Sequence, residues 1–412
     1  MEQAAKPTSL SPRSFTVLAL LGFASGLPLF LTGSTLKAWM TDAGLDLRVI
    51  GMFGLVAQPY VLKVFWAPFL DRYCPPVLGR RRGWMAFFQA GLVVLLVLMA
   101  LGDPQVGVAR FVVLGFLVAF ASASQDVALD AWRAEAFPSH QLGLANAIHV
   151  GFYRVAMLVS GALGLVLAQQ LGWRAMYLIM AALMALGALG TLLAWSTDDR
   201  IRPPRSLKEA VVDPFRQFLK RPAALEVLAF ILLYKIGDQL ADAMVTPFLM
   251  RGLGFSKMEI GVTTKFTGMG CLILGGLIGG MFMKRWSLKR ALLVFGLCQA
   301  GSILAFWALS LLGRNLGALA GAIALENLCY GMGGTAFATF LMCLCDKRFT
   351  GTQYALFTSI VAFSRGYLSA PSGWAVLRLG WSSYFLACVF IAIPGLLLLA
   401  RYDRWAIPED SG

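Results

Sequence analysis

The heptapeptide GWRAMYL occupies residues 172–178, and a similar one, GWSSYFL, occupies residues 380–386, about half of the 412-residue chain further on. Two further pairs have nearly the same separation, namely GLDLRVIG (44–51) with GFSKMEIG (254–261), and Arg154 with Arg365. Similar separations in three parts of the sequence indicate that the chain arose by duplication of one unit.

The composition is that of a membrane protein. Hydrophobic residues make up 58% of the chain and charged residues 14%, and the mean hydropathy is +0.73. Because soluble domains carry about 25% charged residues, an ordinary soluble protein is excluded. Apolar runs of the length needed to cross a bilayer recur along the whole sequence. The predicted spans are 14–40, 49–72, 84–101, 109–137, 143–170, 173–195, 223–250, 259–284, 289–312, 315–345, 353–378 and 381–401.

The duplication divides these spans into two sets of six. An even number returns the chain to the side on which it started, so the sets insert in the same direction, as parallel repeats. We therefore predict an all-α membrane protein with six-helix bundles at 1–195 and 223–412 around a central cavity. The connection 196–222 is the longest, and Ser206 with Glu209 forms a capping-box pattern that predicts an interfacial helix.

Lysine and arginine predict the orientation. Most of the 35 lie in connections on the same side as the N-terminus, in dense groups at Arg80–Arg82, 200–221 and 284–290. Such connections stay in the cytoplasm, so both termini are predicted to be cytoplasmic. Attraction to anionic lipid accounts for the net charge of +14, and no nucleic-acid partner is predicted.

Ionisable residues inside the spans form a second pattern. They are Lys37, Lys63, Asp126, Asp130, Arg154, Lys235, Asp238, Asp242, Lys265, Glu326 and Arg365. The third, sixth, ninth and twelfth spans hold none between their ends. Exposed to lipid, these charges would together cost about 30 kcal/mol, so we expect the other eight spans to enclose water.

The connection FLDRYCPPVLGRRRGW (69–84) resembles the cytoplasmic signature of the major facilitator superfamily, Gly-x-x-x-Asp-Arg-x-Gly-Arg-Arg, although Ala67 replaces its first glycine. The matching residues, for which we expect a gating role, are Asp71, Arg72, Arg80, Arg81 and Arg82. Longer stretches together resemble the AmpG-type muropeptide permeases: LGFASGLPLFLTGSTLKAWM (21–40), FWAPFLDRY (65–73), SASQDVALDAW (122–132), LYKIGD (233–238) and ENLCYGMGGTAF (326–337).

This resemblance implies a secondary transporter of the bacterial inner membrane that imports N-acetylglucosaminyl-1,6-anhydro-N-acetylmuramic acid, with or without its peptide, by alternating access and with protons. It also implies a place in peptidoglycan recycling and a link to β-lactamase induction and antibiotic resistance. Acetyl-coenzyme A transporters are similar to this family, so another anionic solute, such as acetyl-coenzyme A or a sugar derivative, is the alternative substrate.

Asp126 and Asp130 are the predicted proton-coupling residues. They lie one helical turn apart, on one face of the fourth span. Loss of water and a neighbouring negative charge both favour the protonated form of a carboxylic acid, as proton exchange requires. The alternative for Asp130 is a structural ion pair with Arg133 or Arg154.

The predicted substrate-binding residues are polar side chains of the cavity spans. Arginine and lysine suit an anionic ligand, and tyrosines suit sugar rings; charge balance and packing are the respective alternatives. The residues are Tyr60, Lys63, Ser122, Gln125, Tyr153, Arg154, Lys235, Asp238, Gln239, Asp242, Glu326, Asn327, Tyr330 and Arg365.

Glycine and proline in the first span predict an interruption that gates the cavity, at Gly26, Pro28 and Gly33. We expect Gly331, Gly333 and Gly334 to interrupt the tenth span in the same way.

Other classes of function lack support in the sequence. There is no HExxH, Walker or nucleophile-elbow pattern, and the seven cysteines have no metal-ligand spacing, so no enzyme, metal or cofactor is predicted. A receptor would need a signalling domain, for which the spans leave no room. We expect a monomer whose partners are an anionic glycopeptide, protons and lipid.

Overall fold

The computed structural model describes residues 10–45, 56–197, 204–221, 223–368 and 371–405, and within these ranges it is helical, with no strand. The α-helices are α1 Pro12–Thr32, α2 Ser34–Asp42, α3 Gln58–Leu62, α4 Ala67–Arg72, α5 Arg80–Ala100, α6 Val108–Ala136, α7 Ser139–Leu158, α8 Gly164–Leu193, α9 Leu207–Leu219, α10 Ala224–Leu233, α11 Ile236–Pro247, α12 Lys257–Val262, α13 Met269–Phe282, α14 Leu288–Leu312, α15 Leu316–Cys343, α16 Thr350–Phe363 and α17 Ser372–Leu398. Short π-helical turns follow four of them, at Val159–Leu163, Phe248–Gly252, Thr263–Gly268 and Ser364–Leu368.

Seven continuous helical stretches of the described residues are long and apolar enough to cross a membrane. One of them, Ser139–Leu193, is 55 residues long and holds two predicted spans, because the backbone turns at Gly172. The second and seventh predicted spans consist of shorter helices. The second is described only from residue 56 onward, and the side chain of Lys265 lies outside the described part.

The chain divides into two compact units. The first comprises Met1–Gln141, Ile148–Pro214 and Cys345–Ala355, and the second comprises Leu142–Ala147, Phe215–Leu344 and Leu356–Gly412. The sequence-based domain limits at 195 and 223 stay a prediction.

The connection between the repeats contains the predicted helix, α9. Glu209 donates its backbone N–H to Ser206 Oγ over 3.1 Å, and its carboxylate accepts from the N–H of Arg205 over 2.8 Å. These bonds satisfy two of the donors that a helix start leaves open.

Gly172 and Gly380 adopt the same backbone conformation in the two repeats. Their φ angles are 82° and 75° and their ψ angles 161° and 166°, a region that is accessible almost only to glycine. Each one turns the chain from one span into the next. The match supports the duplication inferred from the Gly-Trp sequences.

Aromatic packing repeats with these corners. In the first unit, the Trp39 ring lies 5.7 Å from that of Trp173 and 4.9 Å from that of Tyr177, centroid to centroid. In the second unit, Phe248 lies 5.4 Å from Trp381 and 4.9 Å from Phe385. Each corner therefore brings its tryptophan, and an aromatic residue one turn later, onto the first span of its own repeat.

We expect Gly172→Ala to destabilise the protein by about 1–3 kcal/mol, because alanine is strained at this φ and ψ. A Cβ at Gly172 would meet no atom within 4 Å among the described residues, so the loss comes from the backbone alone. Gly91→Ala is the matched control, since Gly91 lies within α5 and its added Cβ is equally unobstructed. Thermal unfolding in detergent measures both, and equal midpoints would contradict the backbone argument.

Candidate functional site

The second span is interrupted near Lys63. A 3₁₀ turn at Lys63–Phe65 separates α3 from α4, whereas an apolar run favours one continuous helix. Pro59 and Pro68 each lie in the first turn of a short helix, where a backbone N–H has no partner within the helix, so its absence costs no hydrogen bond. In a longer helix, Pro68 would remove a hydrogen bond and clash with the preceding turn. Lys63 is half-buried, and its charge acts on the carboxylate of Asp126.

The two carboxylates of α6 have different partners. Ser25 Oγ donates to Asp126 Oδ1 over 2.5 Å, and no cation of the described chain lies within 4 Å of this carboxylate. Asp130 accepts from Arg133 Nη2 over 2.7 Å, which is one of the pairings expected from the sequence. Asp126 is therefore held by a neutral hydroxyl, and Asp130 by a buried cation.

Ser122 and Gln125, on the same helix as Asp126, are completely buried. Neither the Oε1 nor the Nε2 atom of Gln125 has a hydrogen-bond partner among the described residues. The hydroxyl of Tyr60 is also buried and has no hydrogen-bond partner among the described residues. A buried amide without partners costs free energy, so it requires water or a ligand.

Arg154 lies on α7. Its guanidinium carbon is 5.9 Å from the ring centroid of Tyr153, and Nη1 is 3.5 Å from the sulfur of Met157. No carboxylate of the described residues forms an ion pair with it. Charge balance within the first unit therefore does not account for this arginine.

Lys235 interrupts the seventh span, between α10 and α11, and is 5% exposed. Its Nζ donates to Gln299 Oε1 over 2.7 Å and lies 4.0 Å from Asp238 Oδ2. The same ammonium lies 4.7 Å from the ring centroid of Tyr330. Gln299 belongs to α14, in the ninth span, which is not among the eight spans expected to enclose water. A polar residue in the middle of that apolar span was the available signal.

The remaining predicted residues of the second unit lie on three helices or the turns that extend them. Gln239 accepts from Ser364 Oγ over 2.7 Å. Asp242 pairs with Arg365 over 3.4 Å, with more than half of each side chain exposed, so this pair contributes little stability. On α15, Asn327 Nδ2 donates to Glu326 Oε2 over 2.9 Å.

The glycine-based interruptions differ from the prediction. α1 continues through Gly26 and Pro28 and ends only before Gly33, whose φ and ψ are −107° and −111°. A Cβ at Gly26 would overlap the carbonyl of Tyr153, so this glycine permits close packing of α1 on α7.

The interruption expected in the tenth span is absent as well. The described helix α15 runs without a break through Gly331, Gly333 and Gly334. A Cβ at Gly331 would overlap the carbonyl of Leu272, again a packing role.

The profile of the major facilitator superfamily matches residues 18–369. The chain belongs to that superfamily. It is 46% identical over 389 residues to the anhydromuropeptide permease of Escherichia coli K12, covering 94% of this chain and 79% of the relative. A transporter named AmpG from Rickettsia conorii is 31% identical over 391 residues, covering 92% of this chain and 94% of the relative. Within the superfamily, the chain therefore belongs to the AmpG-type permeases.

A solved structure of the same fold is the proton:xylose symporter XylE bound to 6-bromo-6-deoxy-D-glucose. The TM-score is 0.69 at 12% identity, with 95% of each chain covered. The fold class expected from the sequence is confirmed. Family and fold are those of a multi-pass membrane transporter, not of an enzyme.

The major facilitator signature between α4 and α5 forms a buried network in the first unit. Asp71 and Arg81 are 0% and 1% exposed, and Arg81 Nη1 donates to Asp71 Oδ1 over 2.6 Å. Arg81 Nη2 donates to Glu135 Oε1, also over 2.6 Å. Asp71 Oδ2 accepts from the backbone N–H and the hydroxyl of Thr352, over 2.7 and 2.6 Å. A carboxylate thus lies at the N-terminus of α16, where the helix dipole favours negative charge.

The other signature arginines hold nearby backbone. Arg80 Nη1 donates to the carbonyl of Asp71 over 3.1 Å. Arg82 donates to the carbonyls of Thr191 and Leu192, at the end of α8, over 3.2 and 3.1 Å. The Arg72 guanidinium lies 5.5 Å from the ring centroid of Tyr73. The sequence identified all these arginines, but it gave no sign that Glu135 and Thr352 complete the network.

We expect Thr352→Val to destabilise the protein by about 1.5–3 kcal/mol, because it removes a hydrogen bond to a buried carboxylate at nearly constant shape. Thr16→Val is the control: this exposed hydroxyl bonds only to the carbonyl of Pro12 in its own helix. Unfolding midpoints in detergent compare the two variants. If the unfolding midpoints of both variants fall by the same small amount, Thr352 does not stabilise Asp71.

Proposed function

We propose that this chain imports anhydro-muropeptides, N-acetylglucosaminyl-1,6-anhydro-N-acetylmuramic acid with or without its peptide, across the bacterial inner membrane. The observation that carries the proposal is the 46% identity, over 94% of the chain, with the permease of that name from Escherichia coli. The substrate class then comes from cell-wall turnover, and the protein returns it for peptidoglycan recycling. It works as a monomer, with both termini in the cytoplasm.

Each unit, taken by itself, holds polar residues that suit such a ligand. In the first unit, the partnerless amide of Gln125 suits the N-acetyl amide or a hydroxyl of the sugars, and Tyr60 and Tyr153 suit contact with sugar rings. In the same unit, Arg154 forms no ion pair with a described carboxylate, so it is available to an anionic group.

In the second unit, Lys235 is held chiefly by the neutral amide of Gln299, so its positive charge remains available to a carboxylate. Asp238, Gln239, Asp242, Glu326, Asn327, Tyr330 and Arg365 complete the binding face of this unit.

Transport is coupled to protons through Asp126, and Asp130 is the second residue of the proton-coupling pair. Protonation of Asp126 requires a serine hydroxyl to be re-oriented and, among the described residues, breaks no ion pair. Protonation of Asp130 would leave Arg133, which is 3% exposed, without its carboxylate, and an uncompensated buried charge costs several kcal/mol. Asp126 is therefore the residue that exchanges the proton at the lower free energy.

The signature network acts as the gate in alternating access. Asp71 and Arg81 bind α6 and α16 together through Glu135 and Thr352 in the arrangement seen here. Release of this network allows the alternative arrangement. Arg80 and Arg82 support the gate by holding backbone, Gly26 by close packing on α7, and Gly33 by the bend at the end of α1. Arg72 and Pro28 complete the proposed set.

Uptake by purified protein in proteoliposomes tests the function. We expect saturable accumulation of labelled anhydro-disaccharide, abolished by an uncoupler and inhibited by unlabelled anhydro-muropeptide. Inhibition by coenzyme A thioesters instead would identify the other anionic solute. Absence of accumulation under an imposed pH difference would contradict proton-coupled import.

We expect the Asp126→Asn variant to lose accumulation of substrate driven by the pH difference. It should still exchange labelled for unlabelled substrate, because asparagine leaves substrate binding intact but cannot take up and release a proton. A pH difference of about one unit accumulates a substrate about tenfold per coupled proton, since 1.4 kcal/mol is a factor of ten. For the variant, the ratio of the substrate concentration inside the vesicles to that outside should be about one.

Asp103→Asn, in the exposed connection before α6, is the control and should behave as the wild type. If the Asp126→Asn variant accumulates substrate to the same ratio as the wild type, Asp126 does not couple transport to protons.

A further inference from the structure

Gln299 is the polar residue of α14 that contacts the candidate site. α14 runs from Leu288 to Leu312, and Gln299 lies near its middle with 3% of its surface exposed. Its Oε1 accepts from Lys235 Nζ over 2.7 Å, and no described residue bonds to its Nε2. A side chain used only for packing at this depth would be apolar, so the amide requires an explanation.

The space for this contact is provided by a glycine. A Cβ at Gly333, on α15, would overlap Gln299 Oε1 and lie 3.5 Å from Lys235 Nζ. Any larger residue at this position would separate the amide from the ammonium. Three helices therefore combine to keep one neutral acceptor on one cation.

The kind of acceptor determines what Lys235 can bind. Among the described residues, the nearest carboxylate oxygen, Asp238 Oδ2, forms only a long ion pair with Lys235 at 4.0 Å, beyond hydrogen-bond distance. A carboxylate at the position of Gln299 would neutralise the ammonium and compete with an anionic ligand. The amide satisfies one of the three N–H donors and fixes the side chain, but it leaves the positive charge in place.

We infer that Gln299 is a positioning residue: its neutral amide holds Lys235, which has no described carboxylate at hydrogen-bond distance, for the anionic group of the transported molecule. This inference rests on the proposed function, because it assigns to Lys235 the muramyl carboxylate that is free in the anhydro-disaccharide without its peptide. Gln299 itself does not touch that carboxylate; it acts through the lysine.

Two substrates separate this role from a structural one. They are the anhydro-disaccharide with its free carboxylate and the same molecule with that carboxylate converted to a carboxamide. In wild-type proteoliposomes, KM should be lower for the acid. Gln299→Glu should raise KM for the acid about tenfold, the loss of one charge-assisted contact, and leave KM for the amide within about twofold. Vmax should change little for either substrate.

A double-mutant cycle tests whether Gln299 acts through Lys235. Gln299→Met should raise KM for the acid in the wild-type background and add nothing in the Lys235→Met background. Ser302→Ala is the control on the same helix. The hydroxyl of Ser302 bonds to the backbone carbonyl of Gln299 over 2.7 Å, so its loss perturbs α14 without altering the amide.

The possible failures are distinct. Equal changes in KM for acid and amide, or additive effects with Lys235→Met, would overturn the role of Gln299 while wild-type uptake keeps the transport proposal intact. Failure of the wild type to take up either substrate would contradict the proposed function, and the assignment of the carboxylate to Lys235 would fall with it.

Discussion

A hydrocarbon environment gives no hydrogen bonds, so every polar group placed in a span must be satisfied by its own protein, by water or by a ligand. In the first unit, Asp126 has a serine hydroxyl and Asp130 an arginine. In the second, Lys235 has a glutamine. The hydrogen-bond partners of Asp126 and Lys235 are neutral, whereas the partner of Asp130 is charged. Groups with neutral partners can exchange a proton or bind a ligand, whereas a group in a buried ion pair serves mainly to hold the structure together.

The duplicated architecture follows from two backbone corners. Gly172 and Gly380 occupy a conformation that other residues rarely adopt, and each sets an aromatic pair against the first span of its repeat. The repeats have since diverged in their chemistry. The signature network of the first unit, around Asp71, has Lys284 at the corresponding position of the second repeat, so a carboxylate cannot play the same part there.

Much of the fold could be predicted from the sequence, because membrane insertion depends on local properties: run length, charge and repeat spacing. The polar residues on α6 and α11 could be found in the same way. The break at Lys63 could not, since two prolines act together there with the surrounding packing. Gln299 was missed because the pattern within the spans was that of ionisable residues, and an amide carries no charge. Thr352 was missed because its partner, Asp71, is remote in the chain, and only the tertiary structure brings the two together.

Gly26 and Gly331 illustrate a related limit. Glycine in an apolar helix is compatible with a bend or with close approach of another helix, and the sequence alone does not distinguish these uses. Carbonyl groups of neighbouring helices lie where each Cβ would be, so both are approach sites. The bend in the first span occurs at Gly33, where no helix packs so closely.

The contact between Asp71 and Thr352 also constrains biosynthesis. Chains enter the membrane from the N-terminus as they are translated, so Asp71 emerges from the ribosome long before residues 345–355 exist. During that interval the Asp71 carboxylate can accept from Arg81 but lacks the donors of Thr352, so the network of the first unit is incomplete. A segment at the start of the eleventh predicted span thus completes a network built around the end of the second, and this network stays unfinished until residues 345–355 have been made.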